Sequence, residues 1–361
     1  MILQIEPWID EMELDELKRV VASTFVVEHD LTKEFEERTR QMSGAKHAIA
    51  MTNGTAALFC CLKALGIGPG DEVIVPNITF VATSNAAILA GAKPVFSEIH
   101  PDTFCMDPAK IEAKITSRTR AIMPVHLYGQ SAELTAIMAI AKKHNLRVIE
   151  DAAQGVGVSF EGQHVGTFGE MGILSYYGNK TITCGEGGIV LTNDDRLARD
   201  AYRLKNHGRD QKGLFIHDHI GFNFAFTEMQ AAVGIAQMKK LPAIIAKKQA
   251  IYDRYLKGLD GVSPMKPVYI DPRSGPVFWF TSYLCPDATA LAAHMKEKGV
   301  QMRRFFYPLH QQPCYKDMDV PRAEFGLSER IYSQGISLPS AYNLTEADQD
   351  TVIALIRDYY Q

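Results

Sequence analysis

Between about residues 45 and 240, short apolar runs alternate with segments whose apolar positions recur every three to four residues. The short runs, bounded by turn formers, read as buried strands; the longer recurrence reads as helices with one face turned inward. The strands so predicted are His47–Thr52, Glu72–Pro76, Lys93–Ile99, Arg120–Leu127, Arg147–Asp151, Met171–Tyr177 and Gly188–Thr192. Helices fall between several of them, at Gly54–Leu65, with Ala57, Leu58, Cys61, Leu62 and Leu65 on one face, and around Leu134–His144. Nearly continuous apolar strands separated by helices predict a mostly parallel sheet covered on both faces, an α/β fold. Pro124 inside the fourth strand predicts an edge or a bulge.

The pattern changes toward the C-terminus. Thr227-Glu228-Met229-Gln230 is a capping-box sequence that predicts a helix to Leu241, stopped by Pro242, with a second helix over Ala246–Gly258. From about Val262 the chain reads as a smaller α+β unit. It has a strand around Val277–Leu284 and helices around Ala288–Lys298 and Glu346–Tyr359, the last capped by Thr345 and Asp348. The expected division is 1–245 for a large α/β domain and 246–361 for a small C-terminal α+β domain.

Composition narrows the function classes. The 38 basic and 42 acidic side chains give a formal charge of -4, which is too balanced for a nucleic-acid partner. No apolar run approaches the ~20 residues of a membrane span, and Met1–Glu6 does not read as a signal peptide. Six cysteines without CxxC spacing read as reduced thiols of a cytoplasmic protein, and the reading calls for no metal. Cys60 and Cys61, adjacent in a helix, read as small core residues.

The residues that bear chemistry collect where strands end, which is where ligands bind on parallel sheets. Asn53-Gly54-Thr55-Ala56 opens a helix, where backbone N–H groups and the dipole favour a phosphate; a plain turn capped by Thr55 is the alternative. Phe80 is either a stacking face for a flat ring or a core residue. His126 reads as a satisfied core histidine. Glu150 and Asp151 close an apolar strand, and acids there need a cation or a capping role. Ser175-Tyr176-Tyr177-Gly178-Asn179-Lys180, followed by Gly185-Glu186-Gly187-Gly188, brings a hydroxyl, an amine and a loop whose glycines admit a ligand. An amine that forms a Schiff base and an acid at a strand end are what a pyridoxal phosphate enzyme must supply.

Together these segments, with Gly66-Ile67-Gly68-Pro69-Gly70-Asp71 and Glu150-Asp151-Ala152-Ala153-Gln154, resemble the DegT/DnrJ/EryC1/StrS sugar aminotransferases of pyridoxal phosphate fold type I, from about Glu34 to the C-terminus. The resemblance implies a large domain with a mostly parallel seven-stranded sheet and a smaller α+β domain. It implies Lys180 as the Schiff-base lysine and proton shuttle, Asp151 at the pyridine nitrogen, Gln154 near the ring hydroxyl and Phe80 on the ring. Gly54, Thr55, Ala56 and Ser175 would hold the phosphate. Asn223 would reach the phosphate of the partner subunit's cofactor, which implies a homodimer with shared sites. His310, Tyr307 and His29 fall in segments that approach the sugar.

The activity so implied is transfer of an amino group from an amino acid, glutamate, to a nucleotide-linked 4-keto-6-deoxysugar for surface polysaccharide. Two segments depart from the family pattern. Phe224-Ala225-Phe226-Thr227 stands where Tyr-Arg-Met-Thr is usual, and Ser23–Asp30 lacks the usual Ser-Gly-Trp character. Both lie toward the sugar, so a sugar acid of the octulosonate type or a small phosphorylated carbonyl compound stays open as the acceptor. Related dehydratases carry histidine in place of the lysine, and a regulatory relative could dispense with Asp151 or Lys180; this chain keeps both. The Gly66–Gly70 cluster follows a helix, so a dinucleotide fingerprint fails. Arg203, His207, Arg209, Arg303 and Arg304 read equally as phosphate contacts or as solvated surface.

Overall fold

The computed structural model describes residues 1–210, 213, 215–318 and 320–361. Helices α1 (Glu11–Ser23) and α2 (Asp30–Ser43) lead into β1 (His47–Met51), α3 (Gly54–Ala64), β2 (Glu72–Pro76), α4 (Ala82–Ala90), β3 (Lys93–Ser97), the short α5 (Pro108–Ile111) and β4 (Thr119–Ile122). There follow α6 (Leu134–His144), β5 (Arg147–Asp151), the hairpin β6–β7 (Ser159–Phe160 and Gln163–His164), β8 (Met171–Ser175), β9 (Gly188–Thr192) and α7 (Asp195–Lys205). Seven of these strands form one sheet in the order β1-β9-β8-β5-β4-β2-β3. Only β9 runs against the others. The expected mostly parallel, seven-stranded sheet is therefore present.

Within β5 the two-residue alternation of a strand separates the two acids. Ile149 packs into the core shared with Leu58 and Phe59 of α3, and Val148 into the opposite core with Ile137 of α6. Asp151 follows the first face and Glu150 the second. Helix α3 is buried nearly all round, from Ala56 to Leu62, as a helix covering the middle of a sheet must be. Its Asn53 cap accepts the Ala56 N–H at 2.9 Å, so Asn53 fills the role that sequence had offered to Thr55.

Two expectations are corrected. Strand β4 lies between β2 and β5, not at an edge. It ends at Ile122, so Pro124 sits beyond the regular ladder, where its missing N–H costs nothing, and its carbonyl accepts the Asp151 N–H at 2.9 Å. The second concerns Pro242. Helix α8 (Glu228–Gly258) continues through it for 31 residues, with no stop at Leu241. Pro242 lies on the solvent side, while Leu241 and Ile244 are buried beside it. Burying two such side chains contributes about 3–6 kcal/mol, enough to offset the ~3 kcal/mol of an internal proline.

Beyond α8 the chain forms β10 (Lys266–Pro267), β11 (Ser274–Gly275), β12 (Thr281–Leu284), α9 (Ala288–Glu297), β13 (Arg303–Arg304), α10 (Gly326–Gln334), β14 (Gly335–Leu338) and α11 (Glu346–Tyr360). A four-stranded antiparallel sheet, β10-β12-β14-β13, carries its own core from Ile251 to Ile356. The core under the large sheet takes Ile244 and Ile245 from α8, and the smaller core starts at Ile251. We propose the division between the two units there, inside a continuous helix.

Candidate active site

The C-terminal ends of β2, β4, β5 and β8 and the start of α3 surround a cavity of about 550 Å³, closed on one side by Trp279, Arg303 and Phe306 of the smaller unit. Gly54, Thr55, Ala56, Phe80, Asp151, Gln154, Ser175 and Lys180 all line it. The fold thus gathers these eight sequence-predicted positions at one place.

Lys180 lies in the turn after β8, its N–H donating to Tyr177 O at 2.9 Å. Its amine sits 4.5 Å from the centre of the Trp279 ring. Burial drives its proton affinity down, the Asp151 carboxylate draws it up, the Arg303 cation lowers it again, and the result is a pKa of about 8. An amine near neutrality is a nucleophile at physiological pH.

Asp151 is 4% exposed, and each carboxylate oxygen has a donor. Thr83 Oγ1 donates to Oδ2 at 2.7 Å, and the Ala153 N–H donates to Oδ1 at 3.1 Å. No helix starts at Asp151, so the capping alternative falls. Glu150 has a different task. It is fully buried and accepts four hydrogen bonds, from His126 Nε2 and the N–H groups of Gly166, Phe168 and Gly169. Burial raises its pKa, and the His126 and backbone hydrogen bonds outweigh that, so it stays ionised below the usual range. The Ala132 N–H donates to His126 Nδ1, which leaves the proton on Nε2 for Glu150. His126 is the satisfied core histidine its sequence setting implied.

Phe80 is 54% exposed, which excludes the core reading and presents an aromatic face to the cavity. Gln154 Oε1 accepts the Tyr128 N–H at 2.8 Å, so its NH2 group remains as the donor on the cavity side. At the start of α3 the Ala56 N–H is taken by Asn53, whereas the Gly54 and Thr55 N–H groups have no intrahelical partner. The N–H groups left free at this helix start are therefore those of Gly54 and Thr55. A side chain on Gly54 would crowd Ser175, its Cβ 3.2 Å from the serine Cβ. A Cβ on Gly188 would fall 2.5 Å from the Asn53 carbonyl, so glycine there lets β9 approach the turn that opens α3.

An aromatic face, free helix-start N–H groups, a buried carboxylate and a near-neutral amine are what pyridoxal phosphate requires of a protein, and the cavity fits it.

Four predicted positions lie outside this lining among the described residues. Asn223 is exposed beside the cavity residue Phe224. His29 starts α2 and stacks on Phe25, and its N–H donates to Glu228. Tyr307 packs edge-on against Tyr332. His310 is 1% exposed, and both ring nitrogens are engaged. The Asn77 amide meets Nδ1 at 2.9 Å, and Glu329 takes Nε2 at 3.1 Å. Its valences are used in fastening the smaller unit to the loop after β2, so within one chain it is a latch that does not face the cavity.

Of the cavity-side residues, Trp279 and Phe306 were not named from sequence, and Glu186 and Phe224 appeared only inside quoted segments. Trp279 donates its indole N–H to Asn179 O at 2.6 Å, and Phe306, Glu186 and Phe224 also line the space. Arg303 was read only as one of several arginines. The aromatic-rich pair of segments Phe278-Trp279-Phe280 and Arg303-Arg304-Phe305-Phe306 is the signal that could have pointed there. Thr83 carried no signal, being one of two adjacent hydroxyls at the start of α4.

The DegT/DnrJ/EryC1/StrS aminotransferase family model matches residues 7–357. The chain is 40% identical over 331 residues to GDP-perosamine synthase of Caulobacter vibrioides, covering 90% of this chain and 88% of that one. Among solved structures it superposes on S. venezuelae DesV in complex with a ketimine intermediate with a TM-score of 0.93, at 32% identity, covering 97% of this chain and 94% of that one. On DesI in the presence of its TDP-sugar product the TM-score is 0.92 at 28% identity, covering 99% and 92%. With its cavity built for the cofactor, the chain belongs to the DegT/DnrJ/EryC1/StrS family and is a pyridoxal phosphate-dependent sugar aminotransferase.

Proposed function

We propose that the enzyme takes the amino group of an amino acid, glutamate, and places it on the keto carbon of a nucleotide-linked 4-keto-6-deoxysugar, in the cytoplasm, for a lipopolysaccharide O-antigen or similar surface polysaccharide. The amine of Lys180, with its pKa of about 8, in one cavity with Asp151, carries this reading. The likeness to a GDP-perosamine synthase and to DesI with its TDP-sugar product supports the choice of acceptor.

Bound in the cavity, pyridoxal phosphate supplies an electron sink for the charge that develops when a substrate carbon loses its proton. Asp151, held by Thr83 and Ala153, would keep a positive charge at the pyridine nitrogen. Phe80 would cover one ring face, and Gly54, Thr55 and Ser175 would hold the phosphate. Lys180 Nζ takes the proton from the donor's α carbon and returns one to the acceptor's former carbonyl carbon. Trp279, under that amine, keeps water from its apolar side.

Asn223, exposed next to Phe224, would complete the phosphate site of a partner subunit, which makes the working unit a homodimer. The two half-reactions share one site, so initial rates at varied glutamate and fixed ketosugar levels should give parallel double-reciprocal lines. Intersecting lines would refute the two-stage transfer. Ala225, in place of the usual arginine, favours one second reading, a carbonyl acceptor with no nucleotide. A panel of nucleotide ketosugars and free sugar acids, scored by amine incorporation, separates the two.

A further inference from the structure

Arg303 is a cation of the cavity that the cofactor constellation leaves without a task. It lies on β13, in the smaller unit, and its guanidinium faces three rings, with Cζ 5.8, 5.6 and 5.7 Å from the centres of Trp279, Phe280 and Phe306. Among the described residues no carboxylate pairs with it and no acceptor takes its N–H groups. Its neighbour Arg304 turns away, donating to Tyr332 O at 3.3 Å. An arginine stacked on aromatic faces keeps its edge free, and that edge is a planar fork of donors matched to a planar oxyanion. A half-buried guanidinium with unused donors, set among three rings, is a ready partner for an anion.

We propose that Arg303 anchors the α-carboxylate of the amino donor. This rests on the transamination reading above and names the donor-side contact within it. Position favours the anion nearer the reacting carbon. Lys180 Nζ and the Arg303 guanidinium share the Trp279 ring, so their separation cannot exceed the sum of the two distances to it. Lys180 must reach the donor's α carbon, and the α-carboxylate is bonded to that carbon. The phosphates of a nucleotide 4-ketosugar lie across the sugar ring from its carbonyl. Ala225 adds a second reason. Related sequences place an arginine at that position; with alanine there, Arg303 supplies the cation instead.

The test uses holoenzyme and the donor half-reaction alone, followed by loss of the cofactor's visible absorbance with no sugar present. In Arg303→Gln, the glutamate concentration for half-maximal rate should rise by about 10- to 100-fold, the loss expected for a hydrogen-bonded charge pair. Arg303→Lys should fall between, retaining charge without the fork. Wild type should favour glutamate over its α-amide, and Arg303→Gln should lose that preference, a readout that a folding defect does not produce. An unchanged glutamate requirement, or a shift confined to the ketosugar half-reaction, overturns the assignment. Failure of wild type to react with any amino acid would instead overturn the transamination reading itself.

Discussion

At Lys180 three influences act on one proton, and each can be removed separately. Burial and Arg303 lower the affinity while Asp151 raises it, leaving the pKa at about 8 against an ordinary 10.5. In cofactor-free protein the amine should therefore acylate with a half-maximal rate near pH 8, measured by mapping the modified peptide at a series of pH values. Asp151→Asn should move that midpoint down and Arg303→Gln should move it up. A midpoint that stays at the free-lysine value would show that the cavity does not desolvate the amine. Thr83 acts on the same chemistry through Asp151. Thr83→Val keeps the shape and removes the donor to Oδ2. A charge-assisted hydrogen bond is worth about 1.5–3 kcal/mol, so kcat/KM should fall about 10- to 100-fold. Unchanged kinetics would mean that Asp151 does not depend on Thr83 for its position.

Helix α8 shows what an element inherits from its tertiary setting. The capping box at Thr227 and Gln230 sets its start, and that start was legible, as were the Thr345 and Asp348 caps of α11. Its continuation was not, because a proline is read locally while the burial of Leu241 and Ile244 is a property of the packed molecule. Pro242→Ala is accordingly expected to stabilise the protein by about 1–2 kcal/mol, since the helical N–H it restores at an exposed position outweighs the freedom it returns to the unfolded chain. A lower urea midpoint in that variant would show that the helix depends on the proline. The same contrast runs through the site. Positions on one strand end or one turn, such as Asp151, Ser175 and Lys180, could be placed because strand ends on a parallel sheet share a rim. Trp279 and Arg303 could not, since they reach that rim from the smaller unit, one just before β12 and the other on β13, distant in the chain. The His310 segment could be matched by its motif, yet only the Asn77 and Glu329 hydrogen bonds reveal which way the ring is held.

In the whole molecule the cavity lies where two cores meet, and the surface outside it exposes several apolar side chains. Phe25, Val26 and Val27 are each more than half exposed, and Phe215, Ile216 and Ile220 reach 82%, 64% and 87%. The two stretches flank the segment of Asn223, whose neighbour Thr227 bridges to Val27. On the homodimer reading these exposed side chains would be covered, and symmetric pairing through them would be the common solution. Pairing would set one protomer's Asn223 against the other's phosphate site. That arrangement has a consequence at the level of assembly. Combine chains bearing Lys180→Ala with chains bearing Asn223→Asp, each almost inactive alone, the second because an added negative charge repels phosphate. In a mixed dimer one site carries both substitutions and the other carries neither. Random pairing makes half the dimers mixed, and one of their two sites is intact, so refolding an equal mixture should restore about a quarter of wild-type activity. If Asn223 served its own chain's site, each site of a mixed dimer would retain one substitution, and mixing would restore nothing.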